Sequence, residues 1–166
     1  MKIQEKAGKF IISSFNALDA YKIASRVEKD GITFYQKLMN KVDDPKSKET
    51  LKFLLKEEEK HLKFFKDCLY EIKETSEDKF EEDDLLGSMD FGIFWPYQSI
   101  EDLESKLSNN RKAFSLGIAI EDKSINFYQA CRDNITAEDI KLELDNIIEE
   151  EKKHKVLLES LLKGVK

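Results

Sequence analysis

Two stretches of the chain that are near copies of each other decide the fold: LLKEEEKHLKFF at residues 54–65 and IIEEEKKHKVLL at residues 147–158. Each contains the spacing Glu-x-x-His, which places the two side chains on one face of a helix. A single pair of this kind is a weak signal, because acidic residues are common in helices. Both histidines of this chain carry the motif, however, so the repetition indicates more than a solvated run of charges.

The motif is part of a longer duplication with a constant offset of 93 residues. In each half, a glutamate and then a Phe-Tyr pair come before the motif. The matched positions are Glu28 with Glu121, Phe34-Tyr35 with Phe127-Tyr128, Glu58 with Glu151, and His61 with His154. The chain is therefore predicted to be one helical hairpin written twice.

The Glu and the His of each motif occupy positions in the apolar stripe of their helix, which is the side that faces a core. In the first run this stripe extends from Leu54 to Phe65. The other charges of the run are predicted to face water; they are Lys56, Glu57, Glu59 and Lys60. Glu28 and Glu121 also fall on the inner faces of their helices, so four carboxylates and two imidazoles are predicted to point inward.

These six groups are predicted to lie at one height, because residues equidistant from the turn of an antiparallel hairpin lie side by side. Burial of four uncompensated carboxylates would cost several kcal/mol per charge, whereas two divalent cations would neutralise them. A mixed set of carboxylates and imidazoles suits iron, manganese or zinc better than calcium or magnesium. We therefore predict a dinuclear metal site with the ligands Glu28, Glu58, His61, Glu121, Glu151 and His154.

Two tyrosines are candidates for supporting this site. Tyr35 and Tyr128 each follow the first glutamate of their half by seven residues, two helical turns along the same face. There a phenol can hydrogen-bond a metal-bound carboxylate of the neighbouring helix. The alternative is that both are ordinary core aromatics. Cys68 falls on the buried side of its helix and is interpreted as a packing residue.

Composition and helix signals predict an all-α fold with a single core. The 166 residues include two prolines and six glycines, and 40% are hydrophobic, a composition typical of long helices. Four helices are predicted, at about 17–41, 45–75, 110–133 and 137–162, with Thr136 and Asp139 as the start signal of the last. The bundle is assigned to residues 16–166, and residues 1–15 to an N-terminal extension.

The connection between the two hairpins, residues 76–109, is long enough to run the length of a four-helix bundle. It contains the aromatic residues Phe91, Phe94, Trp95 and Tyr97, followed by a short helix predicted to open at Ser99. We interpret these aromatics as a cover over one side of the bundle, with a ligand pocket as the alternative.

Several classes of partner are excluded by charge and hydropathy. The net charge is −6 and Lys is interleaved with Glu, so no basic stripe is present for nucleic acid. No apolar run approaches the roughly 20 residues of a membrane span. With no secretory leader pattern at the N-terminus and two widely spaced cysteines, Cys68 and Cys131, we expect a cytoplasmic protein with reduced thiols.

The order E-x6-Y followed by E-x-x-H, found twice over about residues 16–162, resembles the ferritin-like di-iron carboxylate proteins and, among them, the rubrerythrins. The resemblance implies a four-helix bundle of two antiparallel hairpins joined by a long crossover. It implies two iron ions, each held by one glutamate from the first helix of a hairpin, Glu28 or Glu121, and one histidine, His61 or His154. Glu58 and Glu151 would bridge the ions. The implied reaction is reduction of hydrogen peroxide or dioxygen in protection against oxidative stress, in a homodimer, with no catalytic residue beyond the ligands.

Two departures from the rubrerythrin pattern bear on this reaction. The chain has no rubredoxin domain with paired C-x-x-C motifs, so its electron donor would be external, such as a rubredoxin-like protein. An extra glutamate associated with efficient peroxidase turnover is replaced by Ser124, whose counterpart is Gly31. Two alternatives stay open: a ferroxidase or iron-storage protein of ferritin type, and a metal-stabilised, non-catalytic bundle holding manganese or zinc.

Overall fold

A computed structural model of the chain describes residues 1–75, 100–107 and 109–165. In that part, two β-strands precede five α-helices. They are β1 (Lys2–Lys6), β2 (Lys9–Ser13), α1 (Ala17–Met39), α2 (Pro45–Thr75), α3 (Ile100–Leu107), α4 (Asn110–Arg132) and α5 (Glu138–Gly164). Helix α1 packs along α2 and α4 along α5, and the two pairs meet through α1 with α4 and α2 with α5. The predicted four-helix bundle of two hairpins is confirmed.

Polar side chains at their N-termini fix the starts of three of the long helices. Asn16 accepts a hydrogen bond from the backbone N–H of Asp19 at 3.0 Å, and Asp44 accepts one from Ser47 at 2.8 Å. Asn109 does the same for α4, at 3.1 Å from the N–H of Lys112. Each cap satisfies a donor that would otherwise lack an intrahelical partner.

The predicted start signal of α5 is wrong. The residue at the N-cap of α5 is Ala137 rather than Thr136, and it makes no side-chain cap hydrogen bond. The chain leaves α4 with the N–H groups of Asn134 and Ile135 both bonded to the carbonyl of Cys131, which buries Ile135. Thr136 therefore lies in the turn before the helix, and Ala137 occupies the N-cap position.

Residues 1–15, assigned above to an extension, form an antiparallel β-hairpin. The two-residue turn at Ala7 and Gly8 has positive φ at both positions, as a type I′ turn requires. Phe10 of β2 is buried and packs edge-on against Phe127 of α4, with ring centroids 6.3 Å apart. The hairpin is thus anchored to the bundle beside the Phe-Tyr pair of the second half.

The short helix predicted in the crossover corresponds to α3, which packs against α4 and buries Leu103 and Leu107. The predicted cover residues lie outside the described part of the chain; they are Phe91, Phe94, Trp95 and Tyr97.

Both cysteines contribute to the core as free, buried thiols. Burial raises the pKa of Cys68 to about 11 and also raises that of Cys131, so both stay protonated and weakly nucleophilic. The interpretation of Cys68 as a packing residue agrees with this environment. None of the helices in the described ranges is long and apolar enough to span a membrane.

Candidate metal centre

All six predicted ligands converge in the middle of the bundle. Each of the four long helices contributes, and every one of these side chains is at most 4% exposed. They are Glu28 from α1, Glu58 and His61 from α2, Glu121 from α4, and Glu151 and His154 from α5. Six ionisable groups in one core need compensation for their lost hydration, from one another or from bound cations.

The six side chains form two overlapping groups of four. Within each group the candidate ligand atoms lie within 4.8 Å of one another. One group contains Glu28 and His61, and the other contains Glu121 and His154. Glu58 and Glu151 occur in both groups. A carboxylate shared between two neighbouring groups is placed to bridge two metal ions, so the arrangement suits a dinuclear centre.

Glu151 shows this shared position most directly. Its Oε2 lies 2.9 Å from Nδ1 of His154, and its Oε1 lies 3.2 Å from Nδ1 of His61. On the other side of the centre, Oε1 of Glu58 lies 3.3 Å from Nδ1 of His154. The imidazole rings are stacked with centroids 5.7 Å apart. Both histidines therefore turn the same nitrogen toward the bridging carboxylates.

Two buried polar atoms without hydrogen bonds indicate a place where a cation would fit. Oε2 of Glu28 and Nδ1 of His61 are fully buried and have no hydrogen-bond partner in the described chain. They face each other at 3.7 Å. Because nearly all buried polar atoms in proteins are hydrogen-bonded, such a pair needs an explanation. A metal ion between them would be ligated by both atoms, together with an oxygen of Glu151.

Without a metal ion, burial and the neighbouring charged groups shift the pKa values of the carboxylates. Burial raises the pKa of Glu58 and of Glu121 well above the ordinary value, and the neighbouring Glu151 adds to both shifts. Burial would also raise the pKa of Glu151, but the interactions with the neighbouring His154 and His61 outweigh it and lower the pKa. Glu151 is thus the most strongly ionised of these three carboxylates.

His61 carries a positive charge in the metal-free protein. Burial alone would lower its pKa, but the carboxylates of Glu151 and Glu28 outweigh burial and raise the pKa to about 12. A protonated imidazole between two carboxylates occupies the place that a cation would take. Metal binding must therefore displace this proton.

Two tyrosines tie the first glutamates of the two halves together across the bundle. The phenol of Tyr35 on α1 donates to Oε1 of Glu121 on α4. In return, the phenol of Tyr128 on α4 donates to Oε1 of Glu28 on α1. Both phenols have raised pKa values, chiefly because they are buried, and so remain donors. Each bond fixes one carboxylate oxygen and leaves the other for the centre.

Sequence reasoning missed Glu150 as part of the site. This residue stands next to Glu151 on α5, and its Oε2 lies 2.8 Å from Nε2 of His61. Glu151 is marked by its spacing to His154, but the sequence does not show which of its neighbours, Glu149 or Glu150, reaches the site, because this depends on the rotation of α5 against α2. The related expectation that all other charges of the first run face water is also wrong in part, because Glu57 is half-buried.

Gly31 has a close contact that explains its small size. A Cβ at this position would lie 3.3 Å from Oε2 of Glu58. The bridging carboxylate therefore occupies the space that a side chain would need. Ser124, its counterpart on α4, is also buried. Neither position can supply the extra carboxylate that the rubrerythrin pattern places on the third long helix.

Comparisons with known proteins agree with this geometry. Residues 2–69 match the family model for rubrerythrin, a range that includes Glu28 and the first Glu-x-x-His motif. The chain is thus similar to rubrerythrin over this range, and its fold is ferritin-like. The fold is shared with a crystal structure from Thermotoga maritima described as a ferritin-like diiron-carboxylate protein. That match has a TM-score of 0.65 and 22% identity, and covers 90% of this chain and 95% of the other.

None of the curated proteins compared with this chain matches it. The family match spans the β-hairpin, α1 and most of α2, and the structural match extends the ferritin-like fold over the second half. The buried cluster, with two carboxylates common to both halves, is suited to a pair of metal ions. That the six residues bind metal stays a prediction.

Proposed function

We propose that this chain is a di-iron carboxylate protein that reduces hydrogen peroxide or dioxygen with electrons from an external donor. The observation that carries the proposal is the sharing of Glu58 and Glu151 between two groups, each completed by one histidine and one further glutamate. Four carboxylates and two imidazoles form a donor set suited to iron and also to manganese or zinc. Iron is favoured because the structural neighbour is described as a diiron-carboxylate protein.

Two bound ferrous ions would supply one electron each, and these two electrons cleave the O–O bond of hydrogen peroxide or reduce dioxygen to peroxide. The protein provides a buried compartment in which Glu58 and Glu151 would hold both ions. Burial favours the protonated forms of Glu58 and Glu121 in the metal-free protein. The phenols of Tyr35 and Tyr128 keep the outer glutamates oriented toward the centre.

The electron donor and the assembly belong to the same proposal. The described helices carry no second redox site, so we propose that electrons come from a separate protein of rubredoxin type. We also propose a cytoplasmic homodimer, in keeping with the rubrerythrin likeness. Light scattering distinguishes the assemblies: a dimer supports this proposal, and a large shell would instead favour iron storage.

The decisive experiment starts from protein loaded with two ferrous ions per chain under anaerobic conditions. Mixing with one equivalent of peroxide should produce the ferric absorption within seconds, with one peroxide consumed per two irons. Glu58→Gln is the matched variant, because it keeps the size of the side chain and removes one bridging charge. Ferrous protein that persists for minutes in peroxide would overturn the proposed reaction.

A further inference from the structure

Glu150 lies at the boundary between the buried centre and solvent. Its neighbour Glu151 points into the centre, whereas the Glu150 carboxylate reaches the outer ring nitrogen of His61, with 2.8 Å between Oε2 and Nε2. The His61 side chain is 3% exposed and that of Glu150 is 40% exposed. The Glu150 carboxylate therefore covers the solvent-facing side of the His61 ring, which is otherwise buried.

This contact sets the tautomer and the orientation of the His61 ring at the centre. A carboxylate at Nε2 accepts the N–H there, so once a metal ion replaces the proton at Nδ1, the remaining ring proton stays on the outer nitrogen. The same contact fixes the plane of the ring and makes Nδ1 a more basic, stronger metal ligand. Nδ1 is the nitrogen that faces Glu28 and Glu151.

The internal repeat supplies a built-in comparison. At the offset of 93 residues, the counterpart of Glu150 is Glu57, which is also half-buried. Glu57 does not support His154; its carboxylate instead accepts a hydrogen bond from Nζ of Lys60 at 2.7 Å. In the described part of the chain, the carboxylates within reach of His154 contact its inner nitrogen, Nδ1, and belong to the centre itself.

We propose that Glu150 is a positioning residue that makes the two metal positions unequal. The position beside His61 fills first and holds its ion more tightly, and the position beside His154 is the exchangeable one. This inference rests on the metal centre of the proposed function and is independent of the reaction that the centre performs.

Cobalt(II) titration followed by visible absorption tests the inference. In the wild-type protein we expect two binding steps of unequal affinity. Glu150→Ala should weaken the tighter step by roughly 10–100-fold, as loss of a partner behind a ligating histidine does. The affinity of Glu150→Gln in this step should lie between those of the wild type and Glu150→Ala, because the amide oxygen accepts the same hydrogen bond without a charge. Glu57→Ala, the matched control, should leave both steps unchanged.

A second readout separates positioning from general damage. In the cobalt-loaded protein, ring N–H protons of ligating histidines give strongly shifted NMR signals. The Nε2–H signal of His61 should persist in wild type and exchange faster with water in Glu150→Ala, while the His154 signal stays the same. A structural disturbance would change both signals.

Three results would overturn the inference. If Glu150→Ala binds both ions with wild-type affinity, the contact between Glu150 and His61 has no influence on metal binding. An equal loss in Glu57→Ala would show that the two halves behave alike. Failure of the wild-type chain to bind cobalt would remove the metal centre, and with it the proposed function.

Discussion

At the scale of single residues, Glu151 is the side chain on which the account depends. Its two oxygens face two different histidines, and its low pKa marks it as ionised before any metal arrives. Burial raises the pKa values of Glu58 and Glu121, and the neighbouring carboxylates raise that of His61 despite its burial, so a metal ion competes with protons at these three groups. Binding is therefore an exchange of protons for cations.

A dependence of metal binding on pH follows from these shifts. The pKa values of Glu58, Glu121 and His61 are all raised, so protons compete with metal ions at these three groups. Lowering the pH strengthens this competition, and affinity should fall as pH falls. Calorimetry in buffers of different ionisation enthalpy should show a net release of protons when metal binds. Heats that do not depend on the buffer would contradict this expectation.

Replacement of Gly31 by alanine should have opposite effects on the stability of the metal-free protein and on its affinity for metal. In Gly31→Ala the added Cβ meets Oε2 of Glu58 at 3.3 Å, so the bridging carboxylate must shift and metal affinity should fall by roughly tenfold. The metal-free protein should gain up to about 1 kcal/mol from the better helix propensity of alanine. Gly164→Ala is the control, because a Cβ there meets nothing within 4 Å. Unchanged cobalt affinity in Gly31→Ala would show that the contact is unimportant.

At the scale of single residues, the sequence indicated the six clustered side chains because each interrupts an apolar stripe at a repeated offset. It did not indicate Glu150, since the contact of Glu150 with His61 depends on the rotation of α5 against α2. Nor did it show that Gly31 lies against Glu58. Both contacts run between helices, and helical periodicity within one segment carries no information about such distances.

At the scale of the elements, the start of α5 differs from the starts of the other long helices. Asn109 caps α4 with a side-chain hydrogen bond, whereas Ala137 at the start of α5 makes none. Both residues have the extended backbone of an N-cap. The same side chain should therefore be able to serve at both positions.

An exchange of the two cap residues tests this difference. In the metal-free protein, Asn109→Ala should lower the free energy of unfolding by about 1 kcal/mol, and Ala137→Asn should raise it by a similar amount or somewhat less. Urea midpoints measured at equal slope would give both values. A loss of stability in Ala137→Asn would mean that the local geometry does not admit a side-chain cap.

The four long helices were predictable to within a few residues because their apolar spacing and their caps agree. The β-hairpin was not predicted. Its strands are short and only Phe10 is buried, so the segment has little alternation, and Ala7 is an unusual residue for a turn with positive φ. The hairpin is held mainly by its packing on α4, which local sequence does not reveal.

At the scale of the whole molecule, two similar hairpins meet so that each supplies half of one centre. Neither hairpin is sufficient alone, because the phenol of Tyr35 or Tyr128 binds a glutamate of the other half. Each bridging carboxylate likewise reaches a histidine of the opposite half, Glu58 to His154 and Glu151 to His61. The six-residue cluster can therefore form only when the two hairpins are packed together.

The central claim is that these residues hold two metal ions between shared carboxylates. Crystals of anaerobically iron-loaded protein, measured at the iron absorption edge, test it most directly. We predict two anomalous peaks per chain, roughly 3.5–4 Å apart, with the ligand atoms of the six residues at about 2.0–2.4 Å. Glu58 and Glu151 should contact both peaks, and each histidine should contact one through Nδ1. A single peak, or two peaks with neither carboxylate between them, would contradict the account.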